Sequence, residues 1–311
     1  MDSANKSRER EDERYVSRSQ LRRPATCSRD PDDINDDSEL KRSQKQEPPM
    51  LTIYLIIGAL AGIMSGLFGV GGGVVVIPAL SRVFMHYTTI PPAYNMQMAV
   101  GTSLAIMIFT AASALYAHHQ RKSVQWGMFY SMVPGLIIGS VIGAIIAHFL
   151  PSFYLQIIFG VFLIFISFRL MINTPDDANQ KGISLKIIRV SSVLIGAFSS
   201  LLGVGGGTLL IPFFLRCRLD MREAAGTSVA CGLLIGIVAT ISFMVTGLSS
   251  TQHADWSTGY VYWPAFLGVA MASMLLAPLG AALAHQLPTA LLKRIFGLFL
   301  FLMACDMLFF K

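Results

Sequence analysis

From residue 51 onward the chain alternates long apolar runs with short polar breaks. A helix needs about 20 apolar residues to cross a bilayer. Runs of that length lie near 97–117, 126–149, 152–172, 225–247, 260–284 and 290–310. Two further apolar stretches, 52–84 and 190–215, are each broken by a cluster of glycines. Polar breaks fall at His118–Gln125, Asn173–Arg189 and Thr246–Thr258, and Pro91-Pro92 marks another loop. Trp126, Trp256, Trp263 and Tyr260 stand near run ends, where amphipathic rings favour the water–lipid boundary. The pattern predicts an all-α polytopic membrane protein with about 8 apolar segments.

Composition sharpens this picture. The 311 residues are 53% hydrophobic and only 14% charged, where a soluble chain carries roughly 25%. Residues 1–50 hold 11 of the 24 Lys and Arg and 12 of the 18 Asp and Glu, leaving 13 basic and 6 acidic residues for the rest. That is too little charge to cover a soluble surface. Cys27, Cys217, Cys231 and Cys305 are scattered and lack metal-ligand spacing, which excludes a disulfide scaffold. The net charge of +6 does not point to nucleic acid, because the tail contributes −1 and the apolar part +7. The tail, 1–50, has almost no aliphatic clusters and reads as disordered. No apolar stretch follows Met1, so a cleavable signal peptide is not expected. The sequon at Asn5 reads as chance in a polar segment.

The chain repeats itself. Gly69-Val-Gly-Gly-Gly73 returns as Gly203-Val-Gly-Gly-Gly207, and an Ile-Pro pair follows each, at Pro78 and Pro212. Asn95–Ser103 then matches Asp220–Ser228, with Gly-Thr-Ser at the end of both. Gly143–Pro151 matches Gly280–Pro288, and Ile158-Phe-Gly160 matches Ile295-Phe-Gly297. Four motifs in one order indicate a duplication. Residues 51–172 form the first copy, 173–189 an inter-repeat loop and 190–311 the second copy.

Basic residues bear on the direction of the copies, because they accumulate in cytoplasmic loops. Suppose each glycine cluster makes a re-entrant pair of half-helices and three full crossings follow. The second copy is then inverted. With residue 51 entering from outside, Arg121, Lys122, Arg169, Lys181, Lys186, Arg189, Arg216, Arg218, Arg222, Lys293 and Arg294 fall inside, against Arg82 and Lys311 outside. Four plain crossings per copy would divide the same residues almost evenly. The inverted arrangement fits better, although it leaves Lys41, Arg42 and Lys45 outside.

The glycine clusters are the first candidate for chemistry. Four glycines in five residues cost a helix roughly 1 kcal/mol each relative to alanine, so the cluster breaks the helix. Lipid cannot satisfy the exposed peptide groups, so such a break survives only in protein or beside a cavity. Val74–Leu80 and Thr208–Leu215 can begin new helices whose free N–H groups and positive dipole ends face the break, which favours an anion. The competing reading is close helix packing, which suits Gly135, Gly139 and Gly143, spaced by four. A dinucleotide fingerprint is excluded, since Val74 and Thr208 stand where glycine is needed. Asn95 and Asp220 read as N-caps, Asp220 with Glu223 as a capping box. Thr102, Ser103, Thr227 and Ser228 lie two turns on, where their hydroxyls can donate to an anion or bind backbone across helices.

Ionisable groups inside the spans are few. Arg169 and Asp306 are equivalent and near span ends, consistent with snorkelling. His148 and His285 read as interfacial, His118-His119 as solvated, and Cys231 as a small buried hydrophobe. No carboxylate stands at mid-span to serve a proton relay. Neither GxSxG nor HExxH is present, so no enzyme, cofactor or metal is expected. The alternatives are a membrane scaffold or assembly protein that recruits partners through the charged tail and, last, an intramembrane enzyme.

Gly66–Gly73 with Ile77-Pro78, Leu202–Gly207 with Ile211-Pro212, and the Gly-Thr-Ser segments resemble the sulfite exporter (TauE/SafE-type) permease family over about 51–311. The resemblance leaves out the charged tail. It implies a multi-pass carrier of the cytoplasmic membrane with two homologous halves. It also implies small sulfur- or carbon-containing anions, such as sulfite, sulfoacetate or sulfolactate, as substrates. The expected anion site comprises Gly69, Gly71, Gly72, Gly73, Gly203, Gly205, Gly206 and Gly207, with hydroxyls from Thr102, Ser103, Thr227 and Ser228.

Overall fold

The computed structural model describes residues 50–68, 72–87, 90–171, 184–248, 256–284 and 289–309. The tail, with Asn5, and also Gly69, Gly71 and His285, lie outside the described residues. Among the described residues ten α-helices follow in order: α1 Met50–Phe68, α2 Gly73–Tyr87, α3 Asn95–Gln120, α4 Trp126–Phe149, α5 Ser152–Met171, α6 Leu185–Leu202, α7 Gly207–Arg216, α8 Met221–Gly247, α9 Trp263–Ala284 and α10 Thr289–Phe309. Among the described residues, α3, α4, α5, α6 and α8 are long and apolar enough to cross a membrane, and shorter apolar helices accompany them. The six long runs read from the sequence correspond to α3, α4, α5, α8, α9 and α10.

Each glycine-broken stretch folds back on itself. Tyr54 near the start of α1 and Phe84 near the end of α2 both hold the ring of Tyr262, at centroid distances of 6.4 and 5.5 Å. The outer ends of α1 and α2 therefore meet at one place, which we call the Tyr262 end. Leu185 and Ile188 at the start of α6 line one cavity with Arg218 and Leu219, which follow α7. This is the Gln125 end, since Gln125 lines the same cavity. The limbs are not equal half-helices. At about 1.5 Å per residue, α1 with 19 residues and α6 with 18 approach the thickness of the hydrocarbon core. Only α7, with 10 residues, is short, and it ends four residues after Pro212. Proline removes a backbone donor and crowds the preceding turn.

The packing has a paired pattern. α3 and α8 run antiparallel. Phe243 near the end of α8 packs on Tyr260, whose carbonyl sits over Gly101 near the start of α3. At the other end Gly226 of α8 lies against Ser123, just past α3. α5 and α10 are also antiparallel. Ser167 donates to Gly297 O at 2.7 Å, and Gln156 donates to the Met307 carbonyl. By contrast α4 runs parallel to α6, and α1 to α9. Gly135, Gly139 and Gly143 set α4 against Ser192, Val193 and Ala197 of α6. Gly58 and Gly62 set α1 against Val269, Ala272 and Ser273 of α9. Small residues let backbones approach, which is the main source of helix association where lipid is as apolar as the side chains.

Two features depart from the expected elements. Asn95 is not an N-cap, because a 3₁₀ turn at Pro92–Tyr94 runs directly into α3 and its Pro92 carbonyl takes the Asn95 N–H. The Asn95 side chain instead donates to Ser81 O at 3.0 Å. Tyr260 is not at the lipid boundary but fully buried. It belongs to a short hairpin in which Ser257 pairs with Tyr262 and Thr258 with Val261. Gly259, at φ +56°, takes the first turn position, where that sign is required for a tight hairpin. The hairpin folds the tyrosine inward between α3 and α8. The expected capping box is present: Asp220 and Glu223 cap α8 reciprocally.

Candidate functional site

The second glycine tract begins as a helix stop. Gly203 is left-handed, at φ +61°, ψ 22°. Its N–H bonds Ser200 O and that of Val204 bonds Ser199 O, both at 3.2 Å, closing α6 in a Schellman arrangement. A side chain at this φ is strained, which explains the glycine. The Ser199 hydroxyl holds the Val204 carbonyl. The chain restarts at Gly207, with Gly206 O accepting from Leu209 and Leu210. In the first tract Gly72 O accepts from Val75 and Val76 in the same way. Both helices therefore begin at the break, with their leading N–H groups turned toward it.

The two tracts meet. A Cβ on Gly73 would overlap the Gly203 carbonyl oxygen and lie 3.0 Å from Ser103 Oγ. The Ser103 hydroxyl itself points to Gly203 O at 3.4 Å. That distance is long for O–H···O, whose usual value is near 2.7–2.8 Å, so the hydroxyl is weakly held. A Cβ on Gly206 would lie 3.4 Å from Gly232 of α8. Gly72, Gly73, Gly203, Gly205, Gly206, Ser103 and Gly232 are all buried, and Gly207 is half-buried. Gly232 was not readable as a site residue, because Met107 stands at its place in the first copy.

The other hydroxyls go elsewhere. Thr102 Oγ1 accepts from Tyr262 N at 3.0 Å, at the Tyr262 end. Thr227 Oγ1 accepts from Gln125 N at 2.9 Å, at the Gln125 end. Ser228 donates to Ala225 O within its own helix, at 2.8 Å. The two threonines thus take the interhelix bonds that formed the competing reading, and Ser103 alone of the four touches both glycine tracts.

Other polar groups tie the ends of the helices. Ser152 bonds Gln97 and the Met96 N–H, and Gln97 donates to Leu150 O, joining α3 to the α4–α5 connection. His148 Nδ1 lies 3.0 Å from Tyr260 OH. Asp306 does not merely snorkel: it pairs with Arg82 at 2.5 Å, linking α10 to α2 near the Tyr262 end. Cys231 is fully buried, as its apolar setting suggests. Arg121, Lys122, Lys186, Arg189, Arg216, Arg218 and Arg222 all belong to element ends or loops at the Gln125 end. Cys217 lies there too, and burial pushes its thiol pKa up. Among the described residues no cluster of His, Cys, Asp or Glu could hold a metal ion.

Comparison with known proteins accords with this architecture. A probable membrane transporter protein of Haemophilus influenzae is 31% identical over 83% of this chain and 97% of its own length. One of Methanocaldococcus jannaschii is 28% identical over 71% of this chain and 82% of its own. One of Bacillus subtilis is 27% identical over 83% of this chain and 97% of its own. No solved structure gives a significant match. The family described as sulfite exporter TauE/SafE matches residues 54–307, from the Tyr54 turn of α1 to the end of α10 and through both glycine tracts. This multi-pass membrane protein belongs to the sulfite exporter TauE/SafE family.

Proposed function

We propose that the protein is a membrane transporter of a small anion, sulfite or an organosulfonate being the leading candidates. The observation that carries this reading is the meeting of the two glycine tracts at Gly73 and Gly203, with Ser103 between them. Two helix N-termini and one loosely held hydroxyl then converge on one buried place. Free N–H groups and dipole ends favour an anion there more than they would in water. The relatives' names as probable membrane transporters support the same class.

The two copies act as inverted repeats that rock about this site. The antiparallel pairs α3–α8 and α5–α10 support this, since each joins equivalent helices. The crowding of basic residues at the Gln125 end supports a cytoplasmic location for that end. The protein then resides in the cell membrane with the Tyr262 end outside. Expelling one negative charge from a cell that is negative inside gains about 2.3 kcal/mol per 100 mV, so no proton relay is required.

The test is a thermal-shift screen of the detergent-purified chain against sulfite, sulfate, thiosulfate, sulfonates and carboxylates. A ligand of the folded form raises the melting temperature in a concentration-dependent way. A shift from one of these anions, absent with chloride, is the expected result. No shift from any of them rejects the anion site.

A further inference from the structure

Thr102 and Thr227 occupy equivalent positions in the two copies, and each makes the same unusual bond. Each hydroxyl accepts from a backbone N–H one residue before a helix of the other copy. Tyr262 precedes Trp263 of α9, and Gln125 precedes Trp126 of α4. The glycine before each threonine completes the contact, Gly101 lying under the Tyr260 carbonyl and Gly226 under that of Ser123. One bond is thus made by α3 and the other by α8, which run antiparallel, and they lie at opposite ends of that pair. A cavity of about 460 Å³, lined in part by Gln125, Arg218 and Glu223, borders the second.

We propose that these two clasps are the outer and inner gates of the carrier. This rests on the transport reading above. Each clasp is one weak link between copies that must separate at one end for a buried site to open. Both are formed here, so the site is shut at both ends. The residue after each threonine connects gate to site. Ser103, next to Thr102, touches Gly73 and Gly203. Ser228, next to Thr227, lies one helical turn before Gly232, which packs on Gly206. Opening one clasp therefore shifts one wall of the site directly. Each gate also has a second strut: Gln125 Nε2 donates to Glu223 at 2.6 Å, and His148 Nδ1 meets Tyr260 OH at 3.0 Å.

The buried thiol of Cys231 is a native reporter, because it packs with Leu210 and Phe214 of α7 beside the second tract. In the full chain Cys27, Cys217 and Cys305 are replaced by serine, and labelling by a small anionic methanethiosulfonate is timed in right-side-out and inside-out vesicles. Thr227→Val is expected to speed labelling from the Gln125 end only, and Thr102→Val from the Tyr262 end only. Each change should be roughly fivefold, the population shift from losing one hydrogen bond. Thr102→Ser and Thr227→Ser should restore the original rates. Faster labelling from both ends, with a fall in melting temperature, makes the clasps structural and overturns the proposal. Unchanged labelling in both valine variants overturns it as well. No solute is present in this assay, so its failure is distinct from failure of the transport reading, which ligand shifts and flux decide.

Discussion

Gly73 rests directly against the carbonyl oxygen of Gly203, 130 positions further along the chain. Neither residue has room for a methyl group on its contact side. Ile77 and Val100 crowd the place of a Gly203 side chain, and its φ of +61° disfavours one in any case. Gly203→Ala is expected to lose about 1–2 kcal/mol from the left-handed backbone alone. The check is melting in detergent, with an unchanged melting temperature counting against the contact.

Ser103 and Ser228 are equivalent in sequence and different in use. Ser103→Ala should weaken the anion-induced melting shift strongly, because its hydroxyl faces both tracts. Ser228→Ala should leave that shift nearly intact, because its hydroxyl bonds Ala225 O within the helix. Both should melt within about 1 kcal/mol of the parent, the scale of one hydrogen bond.

Gly139 stands in the packed seam between α4 and α6, away from the glycine tracts. A Cβ there would overlap the Val193 carbonyl. Gly139→Leu should cost about 3 kcal/mol by forcing the helices apart. Its mark is a lower yield of folded protein, measured by gel filtration.

The pair of Arg82 with Asp306 is more than a third exposed, at 37% and 40%. Ion pairs this open are worth about 0–1 kcal/mol. Asp306→Asn should therefore change melting little and leave anion flux intact. A large loss of flux, with melting unchanged, would show that Asp306 takes part in transport.

Cys217 tests the orientation. Its raised thiol pKa leaves less thiolate at neutral pH, so alkylation should be slow near pH 7 and should keep rising beyond the pH at which a free thiol levels off. With Cys27, Cys231 and Cys305 replaced by serine, an impermeant maleimide should reach it in inside-out vesicles and not in intact cells. Labelling in intact cells would place the Gln125 end outside.

Much of this was legible in the residues. Hydrophobic run lengths located six of the helices, among them the long apolar α3, α4, α5 and α8, and the glycine tracts located two helix breaks, because both effects act over a few consecutive residues. The Asp220–Glu223 cap was equally local. For Thr102 and Thr227 the alternative of bonding backbone across helices was legible, but which backbone was not. Their partners, the backbone N–H groups of Tyr262 and Gln125, lie in loops whose path depends on the whole packing. The inward turn of Tyr260 was hidden for the same reason, since it follows from the Gly259 turn rather than from hydropathy. Unequal limbs around the tracts also escaped, because glycine marks where a helix ends and not how far it runs beforehand.

The most direct measurement is flux of isotopically labelled sulfite into proteoliposomes holding the parent chain or Gly72→Leu. A Cβ at Gly72 meets Ala61 and Val76 at ordinary contact distances, 3.6 and 3.8 Å, so a side chain can begin there beside the break without overlapping the backbone. The account predicts flux in the parent and its loss in the variant, with both proteins inserted and eluting alike. Equal flux in the two would contradict a shared anion site at the glycine tracts.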